Sequence, residues 1–176
     1  TASSGPGARK MVTGAATATT NRIPVLLFPS DQFATRRPDP VLQQVENWQS
    51  LTVSATDCFR PVAAFFDRIE RPEQLPLSLL HAMEVLTDPA ATGAVVIALP
   101  QDVQAEAFDW PIEMFADRTW YVRRAPAESA AIERAVSAIR SSERPMIIAG
   151  GGVIYSAASE ELRALAAVTG IPVADT

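Results

Sequence analysis

The apolar and polar positions divide the chain into short elements of two kinds. Residues 8–21 are rich in alanine but carry Thr13, Thr17, Thr19 and Thr20. Alanine favours a helix and threonine does not, so the stretch predicts a small-faced helix held by tertiary packing. The apolar runs 24–28 and 93–99 lack a period of two, which predicts strands buried on both faces, as in parallel sheets. Residues 30–40 are charged and Pro-rich, and read as a loop at a strand's C-terminal edge. Residues 41–48 predict a short helix, 51–54 a short strand and 61–69 another short helix. Pro72 suits the first turn of a helix running to Leu86, with Leu75, Leu79, Met83 and Leu86 on one stripe. Asp88-Pro89 ends it, and residues 100–103 turn away from the strand before them.

A second unit is expected after a crossing segment, residues 108–125, that has no clean period and holds Trp110 and Trp120. Residues 128–140 predict an amphipathic helix with Ile132, Val136 and Ile139 on one face. Residues 145–149 read as a strand and Gly150-Gly151-Gly152 as a tight turn. Ser159 is the expected cap of a helix with Leu162, Leu165 and Ala166 inward, closed by Gly170 before a strand beginning at Ile171. Strand, helix and strand in this order predict right-handed parallel crossovers. The fold class is therefore α/β, with parallel sheets flanked by helices and no internal repeat.

Composition narrows the classes. The chain has 176 residues, 48% of them hydrophobic and 20% charged, which is enough apolar material for a core and excludes a disordered or fibrous chain. Fifteen basic against twenty acidic residues give a net charge of −5, so a uniformly basic nucleic-acid surface is not expected. No apolar run approaches the roughly 18 residues that span a bilayer. The polar opening lacks the apolar core of a signal peptide. One cysteine, Cys58, permits no internal disulfide, and one histidine with it makes no zinc site. A reducing, cytoplasmic setting is expected. The start in a loop and the stop in a strand just begun suggest two incomplete neighbouring domains.

Few residues carry chemistry by type and spacing alone. His81 sits on the stripe helix without a catalytic partner, and Cys58 has no CxxC companion. Asp57 and Asp67 read as caps or solvated groups rather than a catalytic pair. Arg36 and Arg37, at a strand's C-terminal edge, are candidates for anion or oxygen contacts. Gly150-Gly151-Gly152 has the placement of a phosphate turn but lacks the G-x-G-x-x-G spacing. A non-catalytic nucleotide-binding module built on it is one alternative. In Gly5-Pro6-Gly7 the proline removes an amide donor, so the turn suits close approach of a flat ligand better than anion capture.

Several stretches together resemble a known family. Ser4-Gly5-Pro6-Gly7-Ala8, Met11-Val12-Thr13-Gly14 and Ile23-Pro24-Val25 are similar to the pyrimidine-binding domain of thiamine diphosphate enzymes of the acetolactate synthase type. Residues 144–153, Glu160-Glu161-Leu162-Arg163 and Ile171-Pro172-Val173 are similar to the start of their central domain. Phe33-Ala34-Thr35-Arg36, residues 38–44, residues 71–75 and residues 99–104 look most like one branch, the trihydroxycyclohexane-dione hydrolases of myo-inositol catabolism.

The resemblance implies residues 1–107 as the later part of a pyrimidine-binding domain, 108–125 as a linker and 126–176 as the first part of a Rossmann-like central domain. It implies thiamine diphosphate and Mg2+ as cofactors, and C–C cleavage that opens a cyclic polyol-derived dione to 5-deoxy-glucuronate. It also implies a homodimer or homotetramer, with neither nucleic acid nor membrane as partner. By matched position, Gly5, Pro6 and Gly7 border the cofactor ring, Asp31 faces its pyrimidine side, and Arg36 and Arg37 contact substrate oxygens. The glutamate that activates the cofactor is expected before Thr1 and the metal ligands beyond Thr176, so no catalytic or metal residue is assigned and the isolated chain is expected to be inactive. Lys10, where the family commonly has asparagine, and Ser30, for a usual glycine, depart from the pattern. The glycine triplet, which binds a flavin in some relatives, is expected to be empty here. An acetolactate synthase-like carboligase is the alternative within the family.

Overall fold

A computed structural model describes residues 1–36, 47 and 49–176, and the chain divides into two compact units, Thr1–Val122 and Arg123–Thr176. The helix expected over residues 41–48 and the contact expected of Arg37 lie outside the described residues.

The first unit is built on α1 (Pro6–Thr20), β1 (Val25–Leu27), β2 (Ser30–Asp31), β3 (Phe65–Arg68), α2 (Leu75–Thr87) and β4 (Ala94–Pro100). β4 is central and every pairing with it is parallel. On one side lie β1 and β2 in one unbroken register, Val25 opposite Ala94 and Asp31 opposite Pro100. On the other lies β3, with Phe65 opposite Val95. Ala2 adds a parallel bridge to Pro29, so the chain runs from a strand-like start directly into α1.

β4 explains why its sequence shows no alternation: Ala94, Val95, Val96, Ile97 and Ala98 are all fully buried. Ala94 and Val96 pack with Ala15 and Ala18 of α1 and with Phe59, whereas Val95 and Ile97 pack with Ile69, Ala82 of α2 and Val103. Each face of the strand thus has its own apolar layer, the arrangement that buries a parallel sheet. The threonines of α1 are used as well as tolerated, because Thr19 Oγ1 accepts the Ala94 amide at 3.1 Å.

Three expectations are corrected here. Residues 61–69 form a turn and then β3, not a helix, because Phe65 and Phe66 pair with β4 and send their rings to opposite layers. A short apolar run reads equally as helix or strand, and the neighbouring strand decides. Residues 51–54 make no strand. Ser54 instead caps a 3-10 helix, Ala55–Phe59, in a capping box with Asp57. Ser30 and Asp31, expected in a loop, extend the sheet as β2.

The second unit contains α3 (Ser129–Ser141), β5 (Ile147–Ala149), α4 (Gly151–Tyr155), α5 (Ser159–Thr169) and β6 (Val173–Asp175). β5 and β6 pair in parallel, with Ile147 opposite Val173. Gly150 heads α4, so the glycine triplet is a helix start rather than a free turn. Gly170 closes α5 at φ 69°, the left-handed geometry glycine adopts without a steric penalty. Ser159 is the first helical residue of α5, and Ala158 holds the cap position without a side-chain bond. The stripe of Ile132, Val136 and Ile139 on α3 is exposed. Among the described residues, no helix is long and apolar enough to cross a membrane.

Candidate functional site

The C-terminal ends of β2, β3 and β4 bring the chemistry of the first unit together, as the polarity of a parallel sheet requires. Asp31, the last residue of β2, is wholly buried. Its Oδ1 accepts the Thr56 hydroxyl at 2.7 Å and the Gln32 amide at 2.8 Å. Its Oδ2 accepts the Arg68 Nε–H at 2.7 Å and the Ser54 hydroxyl at 3.1 Å. Arg68, the last residue of β3, also donates through Nη2 to Ser54 Oγ at 2.7 Å and to Asp57 Oδ1 at 2.9 Å.

The network is an offset charge cluster. Asp57 also accepts from Arg60 Nε at 2.7 Å, so two carboxylates face two guanidiniums. Burial opposes ionisation of Asp57, but the bonds from Arg60, the Ser54 amide and Arg68 outweigh it and hold the carboxyl below its ordinary range. Burial likewise opposes the charge of Arg68, and Asp31 with Asp57 more than restores it. Arg68 therefore stays charged wherever the protein is folded.

A second anchor shapes the loop after β2. Asp102 accepts the Ala34 amide at 2.9 Å, the Thr35 amide at 3.0 Å and the Val103 amide at 3.0 Å. Burial pushes the Asp102 carboxyl up, but these bonds prevail and hold it below the usual value. The tethered turn closes with the Arg36 amide donating to the Phe33 carbonyl at 3.0 Å, and Arg36 adopts φ 56°. A left-handed non-glycine residue is strained and persists only where its surroundings over-determine it. Arg36 lines a cleft of about 270 Å³ together with Gln32, Phe33, Thr52, Arg68 and Glu70.

The glycine turn lies at the start of α1. Gly5 is buried with φ 90° and ψ −150°, a conformation that glycine alone adopts readily, and Pro6 takes the first helical position. The Gly5 carbonyl accepts from Arg9 Nη1 at 3.0 Å. Gly7 is exposed, and a Cβ built on it would meet nothing within 4 Å. The open space here lies beside Gly7 alone. Lys10 is exposed on α1, while Ser30 Oγ accepts from Gln104 Nε2 at 3.1 Å.

The bland candidates behave as such. His81 is exposed, 3.3 Å from Glu84 and tilted against Phe65. Cys58 is a free, exposed thiol, and desolvation pushes its titration upward, away from reactivity. Among the described residues, no group of three His, Cys, Asp or Glu side chains is placed to hold a metal. In the second unit, Gly150 and Gly151 line a cavity of about 620 Å³ with Arg163 and Asp175.

The sequence singles out Asp31 as facing a cofactor and Arg36 as a substrate contact. The structure ties up the buried Asp31 carboxylate with Thr56, Gln32, Arg68 and Ser54. Ser54, Thr56, Arg68 and Asp102, which hold these two residues' surroundings, are not singled out by the sequence. The spacing Ser54-x-x-Asp57 is a capping-box signature and was the available signal for the first. Arg68 was hidden in the misassigned helix.

The second unit carries the decisive likeness. Residues 132–176 match the thiamine pyrophosphate enzyme central domain. The likeness extends along the chain to curated relatives, each named 3D-(3,5/4)-trihydroxycyclohexane-1,2-dione hydrolase. The protein of that name from Clostridium tetani is 53% identical over 176 residues, all of this chain and 27% of its own length. Its counterpart from Geobacillus thermodenitrificans is 53% identical over the same span, 28% of its length. That from Bacillus cereus strain AH820 is 51% identical, covering 27%. The chain spans about a quarter of the length of the curated relatives it matches.

Proposed function

We propose that this chain is the part of a thiamine diphosphate-dependent hydrolase that joins the later half of its pyrimidine-binding domain to the first half of its central domain. The substrate is a trihydroxycyclohexane-1,2-dione, opened by C–C cleavage to 5-deoxy-glucuronate. The observation that carries this is the unbroken likeness, at 53% identity, of both units to hydrolases of that name.

The residues present fit the cofactor where they are expected to meet it. Gly7 offers an open backbone face where a side chain would intrude, and Gly5 gives the turn a geometry that other residues resist. Thiamine diphosphate, when bound, supplies an acidic thiazolium carbon that serves as nucleophile and electron sink for C–C cleavage. Gly5, Pro6 and Gly7 border its ring system. Asp31, expected to face the pyrimidine side, has its buried carboxylate engaged by Arg68, Ser54 and Thr56 and so would act by holding the ends of β2 and β3 together. Arg36 donates to substrate oxygens from the tethered turn. Mg2+ and its ligands belong to segments outside this chain, as does the activating glutamate. The working enzyme is a cytoplasmic homo-oligomer.

A chimera tests this. The 176-residue chain replaces the matching segment of the Clostridium tetani relative. The expected result is hydrolysis of the cyclic dione with release of an acid. A chimera that folds and binds thiamine diphosphate, yet condenses pyruvate instead of opening the dione, transfers the assignment to a carboligase.

A further inference from the structure

We propose that Asp102 is a positioning residue for the cleft at the ends of β2, β3 and β4. Its carboxylate, outside the cleft, holds residues 33–36 in their binding shape and so sets how tightly the site takes its substrate. The proposal rests on the function above for Arg36 as a substrate contact. The hold on the turn stands on its own geometry.

Asp102 does not line the cleft, whereas Gln32, Phe33, Ala34 and Arg36 do. It grips this wall from the loop after β4, through amides 68 and 67 residues back in the chain. Its Oδ1 accepts the Ala34 amide at 2.9 Å and its Oδ2 the Thr35 amide at 3.0 Å. Two successive amides of the turn are thus fixed by the two oxygens of one charged group, and such bonds are roughly twice as strong as neutral ones. The carboxylate is itself held. Oδ1 also accepts the Val103 amide at 3.0 Å, at the head of a 3-10 helix, Val103–Ala105. Val103 is buried in one apolar cluster with Ile69 and Ile97, so the grip is anchored to the sheet.

The turn has reason to need holding. Arg36 closes it at φ 56°, and a strained residue of this kind relaxes when its surroundings let go. Released, the turn divides its time among several shapes, and the cleft is competent for only a fraction of it. A competent fraction of about a tenth raises the apparent Kd about tenfold and leaves the complex, once formed, unaltered. The signature is a raised KM at constant kcat. Loss of a group that touches the reacting atoms lowers kcat instead.

The test is Asp102→Asn in the chimera described above. The amide keeps one oxygen for Ala34 and Val103 and turns an N–H donor toward the Thr35 amide. KM should rise about tenfold, with kcat held within about twofold and the Kd for thiamine diphosphate unchanged. Arg36→Gln should raise KM by a similar factor. The double variant should rise no further, because both changes disable one contact. Gly93→Ala, which weakens the first unit elsewhere, should leave KM at the parent value and so separates positioning from general loss of stability. An unchanged KM in Asp102→Asn overturns the proposal, as does an equal rise in Gly93→Ala or a rise of about a hundredfold in the double variant. KM is read on whichever substrate the chimera turns over, so condensation of pyruvate strikes only the hydrolase reading. If the chimera turns over neither substrate, peptide-resolved hydrogen exchange on it decides. Residues 32–36 should exchange faster in Asp102→Asn while β4 keeps the parent rate, and an equal rate at residues 32–36 overturns the proposal.

Discussion

The guanidinium of Arg68 meets the fully buried carboxylate of Asp31 at 2.7 Å, joining the ends of two strands that do not touch each other in the sheet. β4 lies between them. Removing one partner of such a pair strands the other charge in a poorly solvated place. Asp31→Asn is expected to lower unfolding stability by about 3–5 kcal/mol. Urea denaturation measures this. A double-mutant cycle with Arg68→Gln should give a coupling energy of at least about 1 kcal/mol. The exposed pair Arg71–Glu73 serves as the control, and Arg71→Gln should leave the denaturation midpoint unmoved. Independent, additive effects at Asp31 and Arg68 would show that the network does not act as a unit.

Gly5 and Gly7 separate folding from ligand approach. Gly5→Ala forces a side chain into φ 90°, ψ −150° and should cost about 1–3 kcal/mol, read from a thermal melt. Gly7 lies in α1 with open space around the missing Cβ, so Gly7→Ala should hold or raise stability, by up to about 1 kcal/mol. In the chimera, the same Gly7→Ala change should weaken thiamine diphosphate binding, because the methyl group occupies the face offered to the ring. Unaltered cofactor affinity would remove Gly7 from the site.

The elements that the chain reveals on its own are those whose burial is uniform or whose punctuation is chemical. β4 was legible because both of its faces are covered, and α2 because Pro72 and Asp88 bracket its stripe. Gly170 announced the end of α5. β3 was not legible, since Phe65 and Phe66 owe their extended backbone to β4, some thirty residues away in sequence (Phe65 opposite Val95). The site followed the same rule. Asp31 and Arg36 stand beside a recognisable strand end, whereas Arg68 and Asp102 reach the cleft and its turn only through long-range pairing. Asp102 contacts Ala34 and Thr35 across the fold, with no local pattern to betray it.

Gly93, just before β4, sits against Thr19 of α1. A Cβ there would lie 2.9 Å from Thr19 Cα and 3.1 Å from Ala64 Cβ, and the first of these is backbone. Neither neighbour can swing away as a flexible side chain would. Gly93→Ala should therefore destabilise the first unit by about 1–3 kcal/mol through overpacking. The shift should also perturb the Thr19 hydroxyl bond to the Ala94 amide, seen as faster exchange of that amide hydrogen. A melt equal to the parent's would mean that α1 is free to move outward.

Acid should loosen the first unit through Asp57 and Asp102. Both carboxyls titrate below their ordinary value in the folded protein: burial works against this, and their hydrogen bonds and neighbouring arginines or amides prevail. A depressed folded value means that the unfolded chain takes up protons first as pH falls. The stabilisation is then complete above the ordinary carboxylate range, near pH 4, and is lost as pH drops through it toward the lower folded values. Urea midpoints at pH 7, 4 and 3 should fall across the last two steps. Asp102→Asn should be less stable than the parent at pH 7, because a neutral amide oxygen accepts the Ala34 and Thr35 amides more weakly, and should show a shallower decline below pH 4. The two curves should converge at the acid end, and parallel curves would assign the acid sensitivity to other carboxylates.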